Sequence, residues 1–145
     1  MSRSLSSLVA ALILGLQCVH GASSGSTAAA FHTLARIDAF AFGGIGVAGT
    51  TSAGEIAFRE ILAGPHAVAD FQSLLKKGNA PAQCYALVAL HVLAPSAFKA
   101  AAPHFETNDA PVKSVGGCMI STLPVRSLFV NISKGNYIYV SPSRP

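Results

Sequence analysis

The sequence predicts a mainly α domain: four to five short helices in two antiparallel hairpins, plus a C-terminal helix and a minor β element. Three observations lead to that fold class. Helix start and stop signals recur between Ser52 and Pro103, apolar residues between them fall at helical spacing, and strand-like segments are short and few.

Ser52 and Glu55 form an S-x-x-E capping box, in which the hydroxyl accepts an orphan N–H and the carboxylate returns to the cap residue. The helix it opens, Ala53 to Ala63, stops at Gly64-Pro65. Pro65 suits the first position of a second helix, where Val68, Phe71, Leu74 and Leu75 make one apolar stripe. Lys76-Lys77-Gly78 ends that helix with cations at its negative dipole end. Asn79-Ala80-Pro81 opens a third helix, Ala82 to Leu93, apolar almost all round as a central buried helix is. Pro95 begins a fourth, with Phe98 and Ala100 to Ala102, and Pro103 is expected to close it. Ile61 to Pro65 recurs as Val92 to Pro95 about 30 residues on, which suits stacked helix-pair repeats.

The β element is expected from three places. Arg36 to Phe42 reads as a strand closed by glycines, and Val112 to Ser121 as β-branched residues around a Gly116-Gly117 turn. Tyr137 to Val140 adds a closing strand. Between the last two, Ser121 or Thr122 is expected to cap a final helix. Val125, Leu128, Phe129 and Ile132 recur there at i, i+3, i+4 and i+7, and Gly135 stops it.

Met1 to Gly21 reads as a cleavable signal peptide. Arg3 gives the basic start, Leu5 to Leu16 an apolar stretch too short to span a bilayer with margin, and Val19-His20-Gly21 the cleavage region before Ala22. A lipid on Cys18 is not expected, because Gln17 stands where a lipobox needs a small residue. Removal of 21 of the 145 residues leaves 124, one domain with one core. Residues 22–30 (ASSGSTAAA) read as a flexible linker, 31–140 as a single compact helical domain and 141–145 as a loose tail. The expected location is secreted or periplasmic, with no membrane span after cleavage.

Cleavage removes Arg3 alone among the charged residues, so nine basic face six acidic ones, scattered along the chain. The densest basic run is Lys76-Lys77, which makes no phosphate-tracking patch, and nucleic acid is not an expected partner. Gly44-Ile45-Gly46-Val47-Ala48-Gly49 spells G-x-G-x-x-G, but the next helix starts only after the third glycine and is followed by a second helix. No βαβ unit forms, and no cofactor is expected. The string reads instead as a tight turn packing strand against helix.

The exported part retains two cysteines, Cys84 and Cys118, and an even pair in an oxidising compartment predicts a disulfide. Closing that loop of about 35 residues contributes roughly 3–4 kcal/mol. A sharper alternative joins Cys84 and Cys118 with His91 as metal ligands or as a thiol with its base. Against it, Cys84 and His91 lie about 10.5 Å apart along one helix. No G-x-S-x-G occurs, Ser52 is assigned to a cap, and the carboxylates Glu55, Glu60, Asp70, Glu106 and Asp109 show no pairing pattern. His66 and His104 sit at helix boundaries, and Asn131-Ile132-Ser133 is a glycosylation sequon inside the last helix. No catalytic, cofactor or metal residues are therefore assigned. The expected function is an exported, non-enzymatic binding or structural role, with another exported protein or an envelope component as partner. The alternative is a small secreted enzyme or thiol-dependent factor using Cys84 or Cys118 with His91.

Overall fold

The computed structural model describes residues 23–137, so the signal-peptide reading, the loose tail and all but the first residue of the expected closing strand lie outside the described residues. Among the described residues there are six helices and a four-stranded mixed sheet. This corrects the expected mainly α fold with a minor β element: the protein is an α/β mixture. In order, the elements are α1 (Ser23–Ala35), β1 (Phe40–Ile45), β2 (Thr50–Thr51), α2 (Ala53–Leu62), α3 (Ala67–Lys77), α4 (Ala80–Leu93), α5 (Pro95–Phe105), β3 (Pro111–Gly117), β4 (Met119–Pro124) and α6 (Val125–Ser133).

Sheet order is β2-β1-β3-β4. β1 and β3 run parallel, with Phe40 opposite Ser114 and Ala41 opposite Val115, across a crossover made of α2 to α5. The outer pairs are antiparallel. The β3–β4 hairpin turns at Gly117-Cys118, where Gly117 takes φ +56°, as a two-residue turn with glycine first requires.

α4 occupies the centre, and Pro81, Ala82 and every residue from Cys84 to Leu90 are buried, as its all-apolar sequence leads one to expect. The helix pairing differs from the two expected hairpins. α2 packs chiefly against α1, and α3 against α4, while α4 also touches β1, β3, α5 and α6. The linker expected over residues 22–30 is, from Ser23 onward, the first part of α1. Ala30 and Leu34 of α1 are buried, so tertiary burial orders a segment whose composition alone offers no anchor. Pro103 lies inside α5 and does not close it. The helix continues to Phe105, which is 2% exposed and stacks 6.5 Å from Phe129. Ser121 and Thr122, expected as caps for α6, lie in β4, and Pro124 stands at the N-cap without a side-chain cap. Two N–H groups of the first turn are satisfied by the preceding loop, from Val125 to the Ala110 carbonyl (3.0 Å) and from Arg126 to the Asn108 carbonyl (2.9 Å).

One edge of the sheet is completed by side chains. Alternate residues of a strand direct their backbone groups to the same side, and Ala41, Gly43 and Ile45 face the β2 side of β1. β2 pairs only with Gly44 and Ile45, so Ala41 and Gly43 have no strand beside them. Tyr85 of α4 fills the gap: its hydroxyl donates to the Ala41 carbonyl (2.7 Å) and accepts from the Ala41 N–H (3.0 Å). The Ser52 hydroxyl donates to the same carbonyl (2.9 Å) while accepting the Glu55 N–H (3.0 Å). That cap bond is the one the S-x-x-E pattern predicts. The carboxylate arm departs from the pattern, because Glu55 accepts from Gly43 N–H (2.8 Å) and from both Nε and Nη2 of Arg59 (3.0 and 2.7 Å). Gly54 makes room for the arrangement, since a Cβ there would stand 2.5 Å from the Tyr85 hydroxyl.

Tyr85→Phe leaves the buried Ala41 N–H without a partner and is expected to cost about 1–3 kcal/mol in denaturant unfolding. Gly54→Ala is expected to destabilise by a similar amount, about 1–3 kcal/mol. The double variant should lose less than the sum, because the nearest clashing atom is gone; strict additivity would contradict this account.

Candidate functional site

The polar groups of the sheet edge are chemically occupied. Tyr85 is fully buried, and its hydroxyl is raised above the ordinary tyrosine value, chiefly by burial, against the lowering effect of its hydrogen bonds to Ser52 and Ala41. Ser52 and Glu55 are likewise buried and bonded to backbone or to Arg59. No buried side-chain nitrogen or oxygen among the described residues lacks a hydrogen-bond partner. This cluster holds β1 to α2 and α4.

The cysteines and His91 are not brought together. Where the sequence leads to a Cys84–Cys118 bridge, the structure holds two free thiols in opposite surroundings, Cys84 buried inside α4 and Cys118 exposed at the β3–β4 turn. Burial pushes the Cys84 thiol from 9.0 up to about 12, so it carries no thiolate at neutral pH. His91 is half-buried near the end of α4, edge-on to Phe98 at 4.9 Å. No group of three or more His, Cys, Asp or Glu among the described residues is placed to hold a metal ion.

The glycine string Gly44 to Gly49 forms the β1–β2 turn, with Gly49 N–H on the Gly46 carbonyl (3.2 Å). It meets the β3–β4 hairpin through the Gly46 N–H, which donates to the Gly117 carbonyl (2.8 Å). The two turns thus form one end of the sheet, and that end is apolar and exposed: Val47 is 100% exposed, Met119 76% and Ile120 67%. No charged residue lies between Asp38 and Glu55, nor between Lys113 and Arg126, so both turns and the whole of β4 are uncharged. β4 is also the outer strand of the sheet. A two-residue turn closed by the Gly116–Met119 pair bonds Met119, Ser121 and Leu123 to β3, and directs the backbone groups of Ile120 and Thr122 outward. Natural edge strands are commonly blunted by lysine, proline, an inward charge or a bulge; β4 has no charged residue and pairs regularly with β3, and its one such device is Pro124 at its end, which leaves Met119 to Leu123 open. Sequence reasoning assigned these residues only to a hairpin and a helix cap. The signal that marks them is the absence of charge across two segments 60 residues apart in a basic chain.

Comparison with known protein families, characterised proteins and solved structures finds no match to this chain.

Two measurements follow from the thiols. A thiol-alkylating reagent applied at pH 8 to the folded, unreduced chain from Ala22 onward, which lacks Cys18, is expected to add one label, on Cys118, and a second only after denaturation; no label before reduction would restore the bridge. With its folded value near 12, Cys84 favours the native state fully below about pH 9 and loses that contribution as pH rises toward 12. Tyr85 and Tyr137, both raised chiefly by burial, act in the same direction. Denaturation midpoints should therefore fall across that alkaline window, and fall less in Cys84→Ala.

Proposed function

We propose that this chain is an exported, non-enzymatic binding protein that takes an extended, uncharged segment of another exported or envelope protein onto the outer edge of β4. The observation that carries this reading is the outermost position of β4: outward backbone groups at Ile120 and Thr122, exposed side chains at Met119 and Ile120, and no charged residue in the strand itself, the nearest charge across the ladder being Lys113 of β3 opposite Thr122. Strand addition matches what such an edge offers. Main-chain hydrogen bonds supply affinity, and alternate side chains supply selectivity. The added strand would be the fifth of the sheet, and the absence of charge selects a partner segment that is also uncharged. The apolar patch itself favours burial at about 25 cal/mol per Å² of apolar surface covered. Burial of Cys84 weighs against the thiol-dependent alternative, and the occupied Ser52, Glu55 and Tyr85 offer no replacement nucleophile or base. Export rests on the composition of Met1 to Gly21.

A photo-crosslinking residue at position 119, expressed in the native host, is expected to give one discrete adduct with a different protein. The same residue in place of exposed Lys99 on α5 should give none, and Ile120→Lys should abolish the adduct while leaving stability within about 0.5 kcal/mol. Equal adducts from both positions would overturn the assignment of the surface, and an adduct of twice the chain's mass would overturn a heterologous partner. The intact mass of the exported chain is expected to begin at Ala22; retention of Met1 would overturn export.

A further inference from the structure

A second feature lies away from the sheet. α1 and α3 border a half-open cleft of about 430 Å³, lined by Thr27, Ala28, Phe31 and His32 on one side and by Pro65, His66, Asp70 and Ser73 on the other. The spacing explains the convergence. Residues 27, 28, 31 and 32 share one face of α1, and 66, 70 and 73 one stripe running from the N-cap of α3 into its second turn. The volume falls in the range of about 300–1,000 Å³ that small-molecule pockets occupy.

The cleft holds a single carboxylate, Asp70, which has no side-chain partner and lies in the first turn of α3, where the helix dipole favours a negative charge. Of the six acidic residues, Asp38, Glu60, Glu106 and Asp109 are exposed, and Glu55 is buried against Arg59. Asp70 alone is half-buried, and its side chain forms neither an ion pair nor a hydrogen bond. The same cleft is lined by Phe31, itself half-buried, and by the exposed Ala28 and Pro65. A partly desolvated carboxylate sharing a cleft with an aromatic ring and an apolar floor is complementary to one ligand chemistry. A positive head gains from the carboxylate and from the ring's negative face, and a flat apolar body covers the floor. The same carboxylate repels anions. The imidazoles of His32 and His66 and the Ser73 hydroxyl add hydrogen-bonding groups around the rim.

We infer that the cleft between α1 and α3 binds a small organic cation, an ammonium or amidinium carried on a flat apolar body, with Asp70 as its charge partner and Phe31 as its stacking surface. The site is independent of β4 and of the strand-addition reading.

Three probes of one shape separate charge from burial: benzylammonium, benzyl alcohol and benzoate, titrated into the exported protein and followed by NMR. Benzylammonium is expected to shift the His32, His66 and Phe31 ring resonances and to bind about tenfold tighter than benzyl alcohol, with benzoate weaker than both. Asp70→Asn should erase the preference for the cation and leave the alcohol's affinity unchanged. Ala28→Trp, at an exposed helix position, should fill the cleft and abolish binding of all three with the circular dichroism unaltered. Equal affinity for the three probes, shifts confined to residues outside the cleft, or a cation preference that survives Asp70→Asn would each overturn the proposal.

Discussion

The hydroxyl of Tyr85 holds the architecture together at the point where it is otherwise incomplete. β1 is central by position, yet its β2 neighbour pairs with only two of its residues, and a buried strand with unpaired N–H and C=O groups is costly. Tyr85 meets both groups of Ala41 at once because a phenol donates and accepts, and because α4 is buried deeply enough to bring the ring under the strand. Ser52 and Glu55 complete the edge from α2. The aromatic ring serves packing as well, at 5.0 Å from Phe40, 4.9 Å from Phe42 and 5.9 Å from Phe58. One side chain thus joins hydrogen-bond satisfaction to the aromatic core.

This arrangement divides the sheet into two unlike edges. The β1 side is closed by helices, buried and polar in a fully satisfied way. The β4 side is open, uncharged and apolar at its turns. The buried side-chain groups among the described residues are all satisfied, while the edge strand from Met119 to Leu123 carries no charge and is guarded only by Pro124 at its end, so the capacity for interaction is concentrated at that edge. The glycines of the two turns allow close approach there: the Gly46 N–H reaches the Gly117 carbonyl, and between β1 and β2 only Val47 and Ala48 carry side chains. The cleft between α1 and α3 is of a different kind, defined by one carboxylate without a side-chain partner rather than by backbone, and it exists only because α1 is folded against its neighbours.

Much of the helical part was legible along the chain. The Ser52 cap, the Asn79 start of α4, the stop at Gly78 and the i, i+3, i+4, i+7 stripe of α6 are local signals, and each concerns groups within one or two turns of one another. The β3–β4 turn was legible for the same reason. The candidate binding edge was not, because its defining property is what lies beside it. Nothing in Met119 to Pro124 states that the strand is outermost, or that Val47 stands on the adjoining turn. Cys84 and Cys118 illustrate the same limit: counting cysteines suggests a pair, but the burial of one and the exposure of the other follow from the orientation of α4 and the position of the hairpin.

The sequence by itself determined the helices from α2 to α6 in approximate extent, the buried character of α4, the hairpin at Gly117, and the lack of charge in both turn segments, because these depend on propensity, caps and periodicity over short distances. Only the tertiary structure decided that α1 is a helix, that β1 and β3 pair in parallel across four helices, that α2 joins α1 and α3 joins α4, and that Asp70 stands without a side-chain partner in a cleft. Each of those depends on contacts between residues far apart in the chain, which are settled by burial and hydrogen-bond satisfaction summed over the whole core rather than by any local run of residues.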